Sequence, residues 1–228
     1  MHMKIYSLFQ DMLRQPHLLI CGCTGSGKSV LINNLIYTAL KDGPDRVQLL
    51  LIDPKFVNLQ KWRDCKQTIA HCTKQTEIVR ALRWARHETD NRLKWLASRK
   101  LENMPPGFDL YVIIDELMDI MTTHPKEART NIQYLAQVGR AARVHVIAAT
   151  QTPIREIIPT SIKCNFDARI GLRTRSAQDS RNILGVNGLE TLPKYGQCMY
   201  MSPDEFTLYN IPKISDADLY DVINHWTK

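Results

Sequence analysis

The sequence predicts an α/β fold, a mostly parallel sheet flanked by helices with a small hairpin and helix at its C-terminal end. Three observations carry that expectation. Short apolar runs alternate with longer segments whose apolar residues recur at helical spacing, the pattern of parallel strands joined by crossover helices. A glycine-rich loop stands directly between the first apolar run and the first such helix. An aspartate–glutamate pair closes the third run.

Taken in order, His17 to Cys21 is a short apolar strand that ends in the glycine loop, and Leu31, Ile32, Leu35, Ile36 and Ala39 then mark one face of a helix that Gly43-Pro44 stops. Val47 to Ile52 is a second buried strand, ended by the proline of Asp53-Pro54-Lys55. Ile78, Leu82, Ala85, Leu93 and Leu96 predict a long helix from about Gln75 to Leu101, with Trp84 and Trp95 read as packing residues in preference to base-stacking ones. Leu110 to Ile114 is the third strand. A helix over about Lys126 to Ala142 precedes a fourth, Val144 to Ala149, which delivers Thr150-Gln151. Phe166 to Leu172 reads as a further strand, and Gln197 to Met201 with Phe206 to Asn210 as a terminal hairpin. Ser176 with Asp179, and Ser215 with Asp218, have the spacing that starts helices.

Composition narrows the class. At 228 residues, 44% hydrophobic and 23% charged, the chain has the makings of one folded domain over 1–228. No run approaches the roughly 20 apolar residues of a membrane helix, and the start lacks a signal-peptide stretch, so a soluble cytoplasmic protein without direct membrane insertion is expected. The six cysteines match no disulfide framework or zinc spacing and read as reduced thiols. A formal net charge of +7 points to an anionic partner, with nucleic acid the first candidate.

Gly22-Cys23-Thr24-Gly25-Ser26-Gly27-Lys28-Ser29 fits G-x-x-x-x-G-K-[ST] without mismatch, between a strand and a helix as that motif requires. Such a loop wraps backbone N–H groups around phosphate oxygens, and the following helix adds the partial positive charge of its N-terminus. ATP is therefore the expected nucleotide. Its binding set is Gly22, Cys23, Thr24, Gly25, Ser26, Gly27, Lys28, Ser29 and Val30, with Lys28 on the β and γ phosphates and the Ser29 hydroxyl on Mg2+. Asp115 would share the metal. Glu116, next along, would act as general base on the attacking water. Gln151, at the end of the fourth strand, is placed to sense the γ phosphate.

Taken together, Pro16 to Ile20, the phosphate loop, Leu51-Ile52-Asp53-Pro54-Lys55, Val112 to Glu116, Gly139-Arg140-Ala141-Ala142, His145 and Ala149-Thr150-Gln151 resemble the FtsK/SpoIIIE family of DNA translocases. The resemblance continues through Ile162-Lys163, Asn165, Arg169 and Asp179-Ser180-Arg181, covering roughly residues 16 to 185. It implies a RecA-like motor domain that forms a hexameric ring around double-stranded DNA, with each ATP between neighbouring subunits. A basic residue from the neighbour must then offset the charge developing on the transferred phosphoryl group. Arg140 matches the family position best, with Arg143 and Arg181 as substitutes.

Lys163 matches a family pore-loop lysine, and Arg155 and Arg175 stand near it in sequence as further DNA-contacting candidates. Thr152 departs from the family, which commonly has arginine after Ala-Thr-Gln. The chain is also expected to be a motor core alone, without membrane anchor, linker or winged-helix module. Two other readings stay open: the ATPase of a protein-secretion or conjugative-transfer machine, and a regulatory domain that binds nucleotide without hydrolysing it.

Overall fold

The computed structural model describes residues 2–154 and 158–227. Among the described residues, eight strands form one sheet. In chain order they are β1 (His17–Cys21), β2 (Val47–Ile52), β3 (Thr68–Cys72), β4 (Asp109–Ile114), β5 (Val144–Thr150), β6 (Ala168–Gly171), β7 (Gln197–Met201) and β8 (Phe206–Asn210). Their spatial order is β3-β2-β4-β5-β1-β6-β7-β8. The first six run parallel, and β7 and β8 close the far edge as an antiparallel hairpin.

Helices cover both faces. Along β1, Leu18 and Ile20 pack into the layer beneath α1 (His2–Arg14) and α2 (Lys28–Asp42), whereas Leu19 and Cys21 point into the opposite layer. That second layer is filled from α3 (Gln75–Arg99), α5 (Pro125–Val138) and α7 (Ala177–Leu184). Strands covered on both faces favour apolar residues at successive positions, and β1, β4 and β5, buried throughout, accordingly read as largely apolar runs without alternation. The short helices α4 (Leu117–Thr123) and α6 (Thr160–Lys163) and the terminal α8 (Asp216–Trp226) complete the chain. Ser176 and Ser215 accept the Asp179 and Asp218 amides at the starts of α7 and α8, as their spacing predicts.

Several expectations need correction. The helix expected to reach Ala142 ends at Val138, and residues 139–143 form a turn, because Gly139 at the C-cap is followed by Arg143 in the left-handed region at φ 52°. The sixth strand is shorter than Phe166 to Leu172, since the Phe166 amide is taken by the Lys163 carbonyl. Trp84 is exposed, and Trp95 is half-buried with the Arg99 guanidinium 4.2 Å from its ring centre, so neither packs in the core. Strand β3 and helices α1, α4 and α6 were not anticipated. β3 is an edge strand with Ile69 exposed and no continuous apolar run to announce it.

Candidate nucleotide and catalytic site

Strand order builds the site. β5 lies between β1, which ends in the phosphate loop, and β4, which ends at Asp115 and Glu116. The end of β5 therefore sits between loop and carboxylates, at the carboxyl edge where ligands of open α/β sheets bind. Gln151 joins the two: its side-chain Oε1 accepts from Thr24 Oγ1 at 2.6 Å, and its backbone N–H donates to Glu116 Oε1 at 3.2 Å.

The loop has the backbone that a phosphate cradle needs. Gly25 and Gly27 adopt φ of 74° and 102°, a region that side chains with a Cβ rarely tolerate. A Cβ on Gly22 would lie 2.5 Å from Ser26 Oγ, so the loop closes on itself there. Ser26 Oγ is buried and has no hydrogen-bond partner among the described residues. The first-turn amides of α2, including Lys28, Ser29 and Val30, have no intrahelical acceptor and are open to an anion. Lys28 Nζ donates to the Gly22 and Cys23 carbonyls at 2.7 and 3.1 Å. Burial pulls its ammonium below the ordinary lysine value, against the opposing pull of Glu116.

On the other side of β5, Asp115 and Glu116 are both buried. Burial pushes the Asp115 carboxyl up, with the Asp53 and Glu116 carboxylates adding to it and a 2.9 Å donation from Asn58 opposing it. A cation would relieve that penalty by favouring the charged form, and an aspartate carboxylate with a loop serine hydroxyl is a hard-oxygen pair of the kind that Mg2+ uses together with substrate phosphates. The donors present thus fit the metal. No group of three or more His, Cys, Asp or Glu that could hold a metal occurs among the described residues.

Residues that sequence reasoning passed over surround the carboxylates. Lys55 Nζ lies 3.3 Å from Glu116 Oε2 and 3.9 Å from Asp119 Oδ2. Asp53, fully buried, accepts the Leu59 amide at 3.0 Å and faces His71 at 3.8 Å. The loop after β2 therefore grips both catalytic candidates, through Lys55 and Asn58. The motif Leu51 to Lys55 was visible in the sequence, but its contact with residues some sixty positions later was not.

The arginine candidates separate clearly. Arg143 Nη2 donates to Asp109 at 2.7 Å, and Arg181 donates to Asn187 and Gln178 at 2.7 and 2.9 Å. Arg140 is exposed and has no side-chain partner among the described residues. It precedes β5, so it stands at the amino edge of the sheet, across from its own phosphate loop. Among the DNA candidates, Arg155 lies outside the described residues. Lys163 donates to the Asn182 carbonyl, and Arg175 is exposed after β6. All six cysteines are free, and burial pushes the Cys21 and Cys198 thiols up to about 12, which makes them inert. No described helix is long and apolar enough to cross a membrane.

The FtsK/SpoIIIE family model matches residues 4–109 and 107–155. The chain is 39% identical over 205 residues to the DNA translocase FtsK of Clostridium acetobutylicum, covering 83% of this chain and 27% of that protein. It is 32% identical over 251 residues to DNA translocase FtsK 1 of Neisseria meningitidis serogroup B, covering 94% of this chain and 31% of the relative. The chain thus spans about a third or less of these relatives.

Among solved structures, the conjugation coupling protein TcpA of pCW3, in its monomer form with ATPγS, superposes with a TM-score of 0.82 at 20% identity, over 94% of this chain and 66% of that one. The cytoplasmic domain of the type VII secretion ATPase EccC of Thermomonospora curvata gives 0.76 at 24% identity, over 93% and 28%. At those identities the likeness is one of fold. On the family match and the identities to the FtsK proteins, the chain belongs to the FtsK/SpoIIIE family.

Proposed function

We propose that the chain is the ATP-hydrolysing core of a motor that moves double-stranded DNA, assembled as a hexameric ring with each nucleotide held between neighbours. The observation that carries this reading is the separation of charges across the sheet. The phosphate loop, Asp115 and Glu116 stand at the carboxyl edge, and Arg140 at the amino edge. β5, which connects the two edges, has seven residues and so spans about 20 Å at ~3.3 Å per residue. A guanidinium at that distance cannot serve its own phosphate loop. An exposed Arg140 without a side-chain partner among the described residues suits a neighbour's.

In this reading Lys28 and the first-turn amides of α2 hold the β and γ phosphates. Ser29 and Asp115 hold Mg2+, which when bound neutralises phosphate charge. Glu116 takes the proton of the attacking water, and Gln151, tied to both Thr24 and Glu116, registers whether a γ phosphate is present. The neighbour's Arg140 offsets the negative charge that builds up in the transition state.

DNA is favoured as substrate because the relatives of 32% and 39% identity are DNA translocases, whereas TcpA and EccC share the fold at lower identity. The net charge of +7 points the same way. The deciding experiment measures ATP turnover with and without duplex DNA at low salt, with particles imaged in the presence of a slowly hydrolysed ATP analogue. Stimulation by DNA and ring-shaped particles are expected. Rings that turn over ATP without any response to duplex DNA would assign the chain to a polypeptide-moving machine of the secretion class, and absence of turnover to a nucleotide-binding regulator.

A further inference from the structure

Arg92, on the long helix α3, is a buried arginine, 8% exposed, that the proposed chemistry does not use. A guanidinium removed from water is costly unless its N–H groups find acceptors. Its Nε donates to Glu88 Oε1 at 2.7 Å. Its Nη1 is directed at three main-chain carbonyls: that of Phe108, that of Ala142 at 3.1 Å and that of Arg143 at 3.4 Å. The last two belong to the turn that carries Arg140.

That turn is bonded at every carbonyl. Gly139 O accepts from Val144 N at 2.9 Å, Arg140 O from Arg143 N at 3.2 Å, Ala141 O from Met104 N at 2.9 Å and Arg143 O from Leu110 N at 2.9 Å. The Ala142 carbonyl has Arg92 as its donor. Gly139 is wedged so closely that a Cβ would lie 2.4 and 2.5 Å from the Leu135 and Val144 carbonyl oxygens. From the other side, the Arg143 side chain turns inward to Asp109 Oδ2, whose Oδ1 is 2.8 Å from His145 Nε2. One long side chain in the turn, Arg140, is left pointing outward.

We propose that Arg92 is a positioning residue that holds the 139–143 turn so that Arg140 meets the nucleotide of the neighbouring subunit in a fixed pose. This inference rests on the trans-acting reading of Arg140. The guanidinium bonds Glu88 through Nε while Nη1 faces the Ala142 and Arg143 carbonyls, a rigid fork of separate nitrogens that the single nitrogen of a lysine does not reproduce. Loss of the bridge frees the Ala142 carbonyl and lets the turn drift, and a misplacement of about 1 Å in a catalytic group costs roughly 10²-fold in turnover.

The test uses the full chain in four forms: Arg92→Met, Arg92→Lys, Arg140→Ala and Glu116→Gln. Arg92→Met is expected to keep its nucleotide Kd and KM and to lose about 10²-fold in kcat. Mixed in equal amounts with Glu116→Gln, whose turn is intact, it should regain turnover, because its own phosphate loop then faces an unaltered Arg140. Arg92→Lys should fall between Arg92→Met and the parent in kcat.

A purely structural role lowers binding and kcat together and shows no complementation, and that outcome overturns the proposal. If Arg92→Met does not fold, Arg92→Lys takes its place in the same mixing experiment. Parent-like kcat in the Arg92 variants alongside an inactive Arg140→Ala refutes the positioning role alone. Parent-like kcat in Arg140→Ala refutes the trans-acting reading beneath it. The mixture of Arg140→Ala with Glu116→Gln shows whether subunits complement at all.

Discussion

His17, the first residue of β1, should make this protein acid-sensitive at an unusually mild pH. Its ring is buried, its Nδ1 accepts the Val146 amide at 3.1 Å, and its Nε2 has no partner among the described residues. Phe166 meets it edge-on, 6.0 Å away. Burial, with a smaller push from His145, pulls the imidazole down from 6.5 to about 3. Because the folded value is depressed, the unfolded chain takes up a proton first. Stability is complete above 6.5 and declines as pH falls toward about 3.

Between about pH 7 and about pH 5, a group shifted that far contributes a loss of about 2 kcal/mol, a sizeable part of the ~5–15 kcal/mol typical of a folded domain. His17→Asn places an amide oxygen where Nδ1 accepts and removes the titration. Urea unfolding followed by circular dichroism at both pH values should show the parent losing about 2 kcal/mol more than the variant over that interval. Burial also pulls His71 down, but it is common to both proteins and cancels in the difference. Equal losses in the two proteins would refute the assignment of a buried, neutral His17.

Further predictions concern the site. Lys28→Ala should weaken ATP binding, whereas Glu116→Gln should bind normally and lose about 10²- to 10⁴-fold in turnover; equilibrium binding and steady-state hydrolysis separate the two, and parent-like turnover in Glu116→Gln removes it as general base. Arg140→Ala should bind nucleotide normally, hydrolyse poorly and still donate a working phosphate loop to a parent neighbour in mixed assemblies. DNA affinity should ignore sequence and fall with salt at a log–log slope of about −0.9 per phosphate neutralised; Arg175→Ala and Lys163→Ala should each make it shallower, Arg175 more so because the Lys163 ammonium already donates to the Asn182 carbonyl. Unchanged slopes in both variants move the DNA contacts elsewhere on the chain.

Much of the architecture was legible in the linear chain for a physical reason. Parallel strands covered on both faces favour apolar residues at successive positions, so β1, β2, β4 and β5 announce themselves as largely apolar runs, and the phosphate loop is a local motif whose glycines answer to local backbone demands. Asp115 and Glu116 were readable because they close such a run. What the chain alone could not convey is adjacency between distant segments. The insertion of β5 between β1 and β4 makes Gln151 the link from Thr24 to Glu116, and the loop after β2 reaches Glu116 through Lys55 and Asp115 through Asn58. Edge strand β3 escaped because one row of neighbours and an exposed Ile69 relax the demand for apolar residues. The turn of Arg140 looked like the end of a helix until packing showed Gly139 wedged between two carbonyls and Arg92 arriving from a helix fifty residues earlier. Those contacts form only when the sheet brings far-apart segments together, and no spacing within any one segment records them.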